Sequence, residues 1–324
     1  MSFNVVQPGL LSTLQDLGRF GQHSVGLTTG GPLDTEAFAW ANRILHNPAN
    51  ACAIELSFGG LHLRAQSQTY ICVTGATLDL TINGQTKQLW CSHKVAEGDD
   101  IKLGYSQQGC RSYIAVAGGF TITPSFGSTS TVVREKIGGL NGLKLAANDQ
   151  LPCAQTTELK RQALAMEHWP NYTKNDATSC TKLRLVPGYQ YPWFDPSAQL
   201  RFFHNQYQVT DRSDRMGMRL NGPDVSCATQ SMLSEGICLG AVQIPADGQP
   251  IVLLNDRQTI GGYPKIGSVI AIDTAKLAQL RPGNLVHFEA IDLYQAHTIN
   301  TLAKLKFNAT ELLEISPRSR SHHD

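Results

Sequence analysis

The 324-residue chain has no apolar run approaching the roughly 20 residues that a membrane-crossing helix needs. Neither sign of charge dominates: 27 Lys and Arg stand against 26 Asp and Glu, which removes the electrostatic reason to expect nucleic acid or a membrane surface as partner. The opening MSFNVVQPGLLSTLQDLGRFG has no basic segment leading into an apolar core, so it does not read as a secretion signal. The eight cysteines are scattered and include no CxxC pair. In a chain of this length without an export signal they read as reduced, mostly buried thiols, and the compartment expected is the cytoplasm.

Several common chemistries are missing too. There is no GxxxxGK[ST] phosphate loop, because GGLNGLK (138–144) has neither the spacing nor the hydroxyl residue. No GxGxxG follows a strand-like run, and GQHSVG around Ser24 does not fit a GxSxG elbow. FGSTST (126–131) is a poor match to the glycine–serine core of amidase-signature hydrolases. The histidines show neither HxxxH nor HExxH spacing, so no metal site is read. Without a Met-Lys-Met-like attachment segment, a biotinyl group would have to arrive on another chain.

What is present is turn chemistry. Charged residues make up only 16% of the chain, against 29 glycines and 15 prolines, which suits tightly turned β structure better than a helix bundle. Short apolar runs alternate with turn signals in YICVTG, CRSYIAVAGG, KLRLVPG and NLVHFEAID, and Asn83-Gly84 predicts a hairpin within LDLTINGQTKQLW. LDTEAFAWANRILHNP predicts a helix: Asp34 is placed to cap it, Glu36 sits in its first turn, and Ala37, Phe38, Ala41, Ile44 and Leu45 recur at helical spacing before Asn47-Pro48. TTELKRQALAMEHWP predicts a second helix stopped by Pro170, followed by the linker-like NYTKNDATSCTK.

The expected division is a β domain over 1–155, a helix and linker over 156–180, a second β domain over 181–292, and a C-terminal helix with a polar tail over 293–324. The two halves echo each other: Glu55 and Glu235, Gly60 and Gly240, and Gly75 and Asn255 are each about 180 residues apart, which suggests two related β domains.

Three polar segments carry the candidate chemistry. LQDLGRFGQHSVGLTTGGPLD holds Gln15, Asp16, Arg19, Gly30, Gly31 and Asp34. Paired glycines leading into a helix N-terminus offer backbone N–H groups to an anion or a developing oxyanion, although an Asp16–Arg19 pair holding a turn would also account for the segment. TDRSDRMGMRLNGP places Asp211, Arg212, Asp214, Arg215 and Arg219 around a Met-Gly-Met centre; a solvated surface turn is the plainer reading. NDRQTIGGYPKIG, between the apolar PIVLL and SVIAID, combines Arg257, Thr259, Gly261, Gly262, Tyr263 and Lys265. Arg257 offers a planar fork for a carboxylate or phosphate, Lys265 a mobile point charge, and the glycines allow close backbone approach or positive φ. The alternative is a β-bulge with surface cations.

GLLSTLQDLGRFGQHSVGLTTGGPLD, ANRILHNPANACAIELSFGG, SDRMGMRLNGP, SEGICLGAVQIPADGQPIVLLNDRQTIGGYPKIGSVIAID and LAQLRPGNLVHF stand in an order that resembles the biotin-dependent carboxyltransferase family. This is the family long labelled allophanate hydrolase subunit 2 or Kip-type protein A, and now also known as the C component of 5-oxoprolinase. The resemblance runs from about Val5 to about Glu289. It implies a mainly β fold with a few helices, built as two cyclophilin-like β-barrel domains.

It also implies two separately encoded partners. One is a Kip-type inhibitor-like subunit (the 5-oxoprolinase B component), the other a LamB/YcsF-like subunit (the 5-oxoprolinase A component). The implied reaction of the complex is opening of 5-oxo-L-proline to L-glutamate, driven by ATP with Mg2+. The family's alternatives are carboxyl transfer from biotin on another chain to urea or a similar amide, and sequestration of a Kip-type kinase inhibitor.

For the lactam reaction Arg257 and Lys265, with Arg215 as an addition, are expected over phosphate and carboxylate, and Asp214 or Asp16 as base or metal ligand. The Gly30-Gly31 and Gly261-Gly262 backbones are expected at the oxyanion. Gln15, Arg19, Thr259 and Tyr263 complete the expected substrate- or nucleotide-binding set.

Overall fold

The computed structural model describes residues 1–155, 158–170, 179–227 and 232–315. Its first half contains β1 (Ser2–Pro8), β2 (Leu11–Gln15), α1 (Thr35–Ile44), β3 (Ala53–Ser57), β4 (Leu61–Ala65), β5 (Thr69–Thr77), β6 (Leu80–Ile82), β7 (Gln85–Lys87), β8 (Ser92–Val95), β9 (Asp100–Leu103), β10 (Gln108–Val116) and β11 (Gln150–Pro152). They form two packed sheets, in the orders β11-β1-β4-β9-β6-β7 and β2-β3-β10-β5-β8.

Burial follows the sequence pattern. In β4, Leu61, Leu63 and Ala65 are buried while Arg64 faces solvent, the alternation of a strand with one covered face. The central strands β5 and β10 are buried along nearly their whole length because α1 covers their other face with Ala37, Phe38, Ala41 and Ile44. Asp34 caps α1 as expected, accepting from the Ala37 amide at 3.0 Å. The Asn83-Gly84 turn joins β6 to β7, and both residues adopt positive φ (51° and 75°), as a two-residue hairpin loop requires.

Next come β12 (Gln162–Ala163), β13 (Cys180–Pro187), α2 (Pro196–His204), β14 (Gln206–Val209), β15 (Gly217–Asn221), β16 (Glu235–Gly236), β17 (Ala241–Gln243), β18 (Ile251–Leu253), β19 (Ile260–Gly261), β20 (Lys265–Val269), α3 (Ala271–Ala278) and β21 (Leu285–Ala290). Seven of these strands close a barrel in the order β13-β20-β17-β18-β15-β14-β21, sealed by the parallel pair β13–β21. Phe202 stacks on Phe288 at 4.4 Å inside its core. The short pair β16–β19 stands apart from the barrel as an arm.

The expected mainly β, two-unit architecture is therefore present, with the second unit a closed barrel and the first a pair of packed sheets. The sequence echo extends to strand placement but not to pairing. β4 lies between β1 and β9, whereas β17 lies between β20 and β18.

One expected helix is absent. Residues 158–170 hold β12 and a single 3₁₀ turn at Met166–His168, not an α-helix. The Leu164 amide donates to Trp90 O and the Ser92 hydroxyl to Gln162 O, so pairing with the first half outweighs the helical propensity of the segment. Thr156, Thr157 and residues 171–178, which include most of the expected linker, lie outside the described residues, as does the polar tail from 316.

The C-terminal helix α4 (Leu293–Ala309) starts with a capping box between Asp292 and Gln295. It leads back to the first half, where β22 (Leu313–Glu314) pairs with β12 and Phe307 packs on Trp40 at 4.4 Å. Arg43 closes the joint: its guanidinium donates to the carbonyls of Phe307, Asn308 and Thr310 and lies over both aromatic rings. Arg43→Ala is expected to speed amide exchange across 293–315 at least tenfold while leaving barrel strands β13 and β21 unchanged; hydrogen exchange by mass spectrometry reads both regions at once.

Candidate functional site

The three polar segments of the sequence converge where the two halves meet. Gly30 and Gly31 adopt φ of 64° and 89°, and a Cβ on Gly31 would come within 2.9 Å of Leu17 O, so this turn accepts only glycine without strain. The turn is held from both sides. The Gly30 amide donates to Asn255 O at 3.2 Å and the Gly31 amide to Gln15 Oε1 at 3.1 Å. Asn255 returns its own side-chain amide to the carbonyls of Gly30 and Pro32. Both glycine N–H groups expected at an oxyanion are thereby engaged by protein acceptors in this structure.

Arg215 sits just behind, 7% exposed. It forks onto Asp256 at 2.9 and 3.0 Å, pairs with Glu55 across the two halves, and donates to Gly31 O at 2.7 Å. Glu55 also accepts from the Tyr113 hydroxyl and the Leu33 amide. Burial alone would lower the guanidinium, but Asp256 and Glu55 outweigh it and hold Arg215 above its ordinary value. Burial pushes the Asp256 carboxyl up, and Arg215 opposes that push. Gln279 adds a neutral tie, accepting from the amides of Cys110 and Arg111 while donating to Asp34. Arg215 is thus a clamp between the halves, its guanidinium engaged by two carboxylates and the Gly31 carbonyl.

Asp16 and Arg19 form a second buried layer without pairing to each other. Asp16 accepts from the hydroxyls of Ser128 and Ser130 and from the amides of Thr129 and Gly18. Burial would raise its carboxyl, but these four donors together hold it below the usual value. Arg19 is fully buried and donates to the carbonyls of Ser125, Ser128 and Ser130, while its Nη1 has no partner among the described residues.

Asp16→Ala, which strands four donors, is expected to cost about 2–4 kcal/mol in urea unfolding. The pH signature has a definite sign. A depressed carboxyl stabilises fully above its unfolded-state value and loses that stabilisation as pH falls through its folded-state value. The stability gap between wild type and Asp16→Asn should be flat from about pH 5 to 8 and shrink below about pH 4.

The segment that follows Asp256 runs out to the β16–β19 arm. Arg257 is 7% exposed and donates to Ile237 O and Leu254 O, both at 3.2 Å, with no carboxylate paired to it among the described residues. Burial lowers it, and Cys238 opposes without reversing that direction. Lys265, by contrast, pairs with Glu235, which also accepts from the Tyr189 hydroxyl and the Gln190 side-chain amide. Tyr263 is exposed, and Thr259 O accepts the Ile237 amide.

Gly261 and Gly262 are not at positive φ. A Cβ on Gly261 would meet Gln243 Nε2 at 2.8 Å, and one on Gly262 would meet Met232 O at 2.8 Å, so they are small because the arm packs tightly. Asp214 is exposed and caps its own turn, its Oδ1 accepting from the amides of Met216 and Gly217. Among the described residues no three His, Cys, Asp or Glu side chains gather as a metal site. No described helix is long and apolar enough to cross a membrane.

The sequence model of the carboxyltransferase domain, subdomains A and B, matches residues 25–290, a span that contains the Gly30-Gly31 turn, the clamp and the arm. This chain belongs to the carboxyltransferase domain family. It is 35% identical to the 5-oxoprolinase C subunit of Escherichia coli (strain K12) over 295 residues, covering 90% of this chain and 92% of that protein. Against the 5-oxoprolinase C subunit of Haemophilus influenzae the identity is 36% over 286 residues, covering 88% and 90%. The crystal structure of the K. lactis urea amidolyase is similar with a TM-score of 0.89 and 27% identity, over 97% of this chain. This carboxyltransferase-family chain spans only 20% of that amidolyase.

Several junction residues of this family member were not singled out as site residues by their sequence motifs. Glu55 and Asn255 tie the halves together, Tyr113 donates to Glu55 from within the first half, and Tyr189, Gln190 and Glu235 surround Lys265. The one available signal was charge out of place. Glu55 lies in the apolar run AIELSFGG in a chain with few charges, and a carboxylate there needs a buried cation.

Proposed function

We propose that this chain is the C-type subunit of a 5-oxoprolinase, completing its lactam site only with its partner subunits, and that Arg257 is its anion anchor. The reading is supported by similarity to two proteins named as the C subunit of 5-oxoprolinase, of which this chain covers nine-tenths or more. The observation that carries the role of Arg257 is its burial without a counter-ion among the described residues. A guanidinium stays charged at any physiological pH, and taking it out of water without a carboxylate is costly unless a ligand supplies the charge. The carboxylate of 5-oxoproline is such a ligand, and a planar fork suits it.

Among the described residues, those expected at the site do not fit ATP. Arg215 is neutralised by two carboxylates, Lys265 by Glu235, and the amides of Gly30 and Gly31 are taken, whereas a triphosphate with Mg2+ needs several open cations and N–H donors. We therefore assign nucleotide binding to the other subunits. Around the arm, Tyr189, Leu233, Ile260 and Tyr263 are exposed apolar or aromatic side chains, suited to docking the Kip-type inhibitor-like partner beside Arg257.

The deciding experiment is glutamate release from 5-oxoproline with ATP, using the chain alone, with each partner subunit, and with both. Release only in the complete mixture supports the reading. A properly assembled complex that forms no glutamate but carboxylates an amide from carboxybiotin would replace it with carboxyl transfer.

A further inference from the structure

The first half opens at one end, where β7 is the last strand of one sheet and β8 the last strand of the other. Two clefts, of about 570 Å³ and 300 Å³, meet there and share His93 and Arg161 in their walls. None of their lining residues belongs to the junction, the clamp or the arm.

The two clefts differ in character. The larger is lined mainly by Cys91, Ala163, Leu164, Ala165, Met166 and Leu313, and Met166 and Leu313 stand 71% and 56% exposed at its rim. Its volume is that of an ordinary small-molecule site. The smaller is polar, with Asn83, Gln85, Lys87 and Lys94 on its wall.

Arg161 stands between them. Its Nε donates to Ser92 O at 3.3 Å and its backbone carbonyl takes the Ile315 amide, which fixes the stem of the side chain, while no carboxylate among the described residues pairs with its guanidinium. The two acids nearby are engaged elsewhere: Glu314 with Lys160, and Asp99 with Asn83 and the Ala96 amide. His93 is buried, and its Nε2 donates to Gln88 O at 2.7 Å, which holds the ring in place, while burial lowers its pKa and favours the neutral form.

We propose that these clefts form one binding site for a small organic anion with an apolar portion. The acidic head, a carboxylate or a phosphate, is held by Arg161 with Lys87 and Lys94, and the apolar end lies on Ala163, Leu164, Ala165 and Met166. Three cations face two acids, of which Glu314 is already paired with Lys160, so the wall stays net positive and gives the head its complement, while the exposed apolar rim gives the tail its own. The chain's own segment after Ile315, SPRSRSHHD, carries two arginines and one aspartate, so charge disfavours it as the occupant.

Titration calorimetry on the full chain tests this with hexanoate and hexyl phosphate as probes, acetate and inorganic phosphate as heads without tails, and 1-hexanol as a tail without a head. The expected result is one saturable site for at least one of the first two. Its affinity should be on the order of tenfold or more above that for the head or tail alone. Which of the two binds distinguishes a carboxylate ligand from a phosphate. Arg161→Gln and Met166→Asp should each weaken binding roughly tenfold with an unchanged melting temperature. Should Arg161→Gln fail to fold, the double variant Lys87→Gln with Lys94→Gln takes its place and should weaken binding likewise. No saturable binding, equal binding by the variants, or inorganic phosphate binding as well as hexyl phosphate would overturn the proposal. Binding that appears only after removal of residues 316–324 would overturn it too, because the tail would then be the occupant.

Discussion

Arg215→Met is expected to destabilise the chain by about 3–5 kcal/mol at pH 8. Methionine approximates the volume of the arginine stem, so the loss is not chiefly a cavity. It arises because Glu55 and Asp256 remain in the junction with their shared cation gone, and because Gly31 O loses its donor. Breaking a buried ion network from one side costs more than the network contributes, since the orphaned charges stay out of water.

The pH dependence gives this prediction a distinctive sign. Burial already pushes Asp256 up, and removing the cation that opposes this raises it further. A carboxyl whose folded-state pKa lies above its unfolded-state value costs stability at high pH and returns it as pH falls through the folded-state value. The deficit of Arg215→Met in urea unfolding should therefore narrow between pH 8 and pH 5. A deficit that is constant over that range would mean that the carboxylates find other partners. The double variant Arg215→Met with Asp256→Asn should recover part of the loss, because one of the two stranded charges is then absent.

The same network shows what the sequence does and does not reveal. Local features were legible: the Asp34 cap and the Asn83-Gly84 hairpin each depend on residues a few positions apart. The clamp was not, because Glu55 and Arg215 lie 160 residues apart and no local pattern pairs them. Arg215 therefore read as an open cation. Paired glycines were legible as constraints but not as kinds of constraint. Gly30-Gly31 needs positive φ, whereas Gly261-Gly262 needs room for Gln243 and the Met232 carbonyl, and GG looks the same in both.

The misread segment 158–170 has the same physical cause as the clamp. Its residues favour a helix locally, but Ala163 and Leu164 gain more by burial against Trp90 and Cys91, and that gain is set by residues some seventy positions away. Function was legible to the extent that whole motifs carry family membership. Individual roles were less so: of the cations expected at the site, Lys265 and Arg215 are paired with carboxylates, whereas Arg257 and Arg19 are buried without one among the described residues, and Arg257 is the one that reaches the arm.

Arg257→Ala should therefore abolish glutamate formation by the assembled complex while leaving assembly intact. The two halves of that statement rest on different contacts. Within this chain Arg257 makes two hydrogen bonds to backbone carbonyls, so its loss should cost only about 1–3 kcal/mol in urea unfolding. Its proposed partner, the substrate carboxylate, would lose a buried charge-assisted fork, a loss on the order of 100-fold or more in kcat/KM.

Arg257→Lys separates charge from geometry. It keeps the cation but not the planar fork, so KM should rise substantially even where kcat survives in part. Size-exclusion chromatography of this chain with its proposed partner subunits reports assembly, and glutamate release reports turnover. Normal turnover by Arg257→Ala in an intact complex would remove the anion-anchor role. Loss of turnover together with loss of assembly would recast Arg257 as a brace for the β16–β19 arm, since Ile237, the residue it holds, directly follows β16.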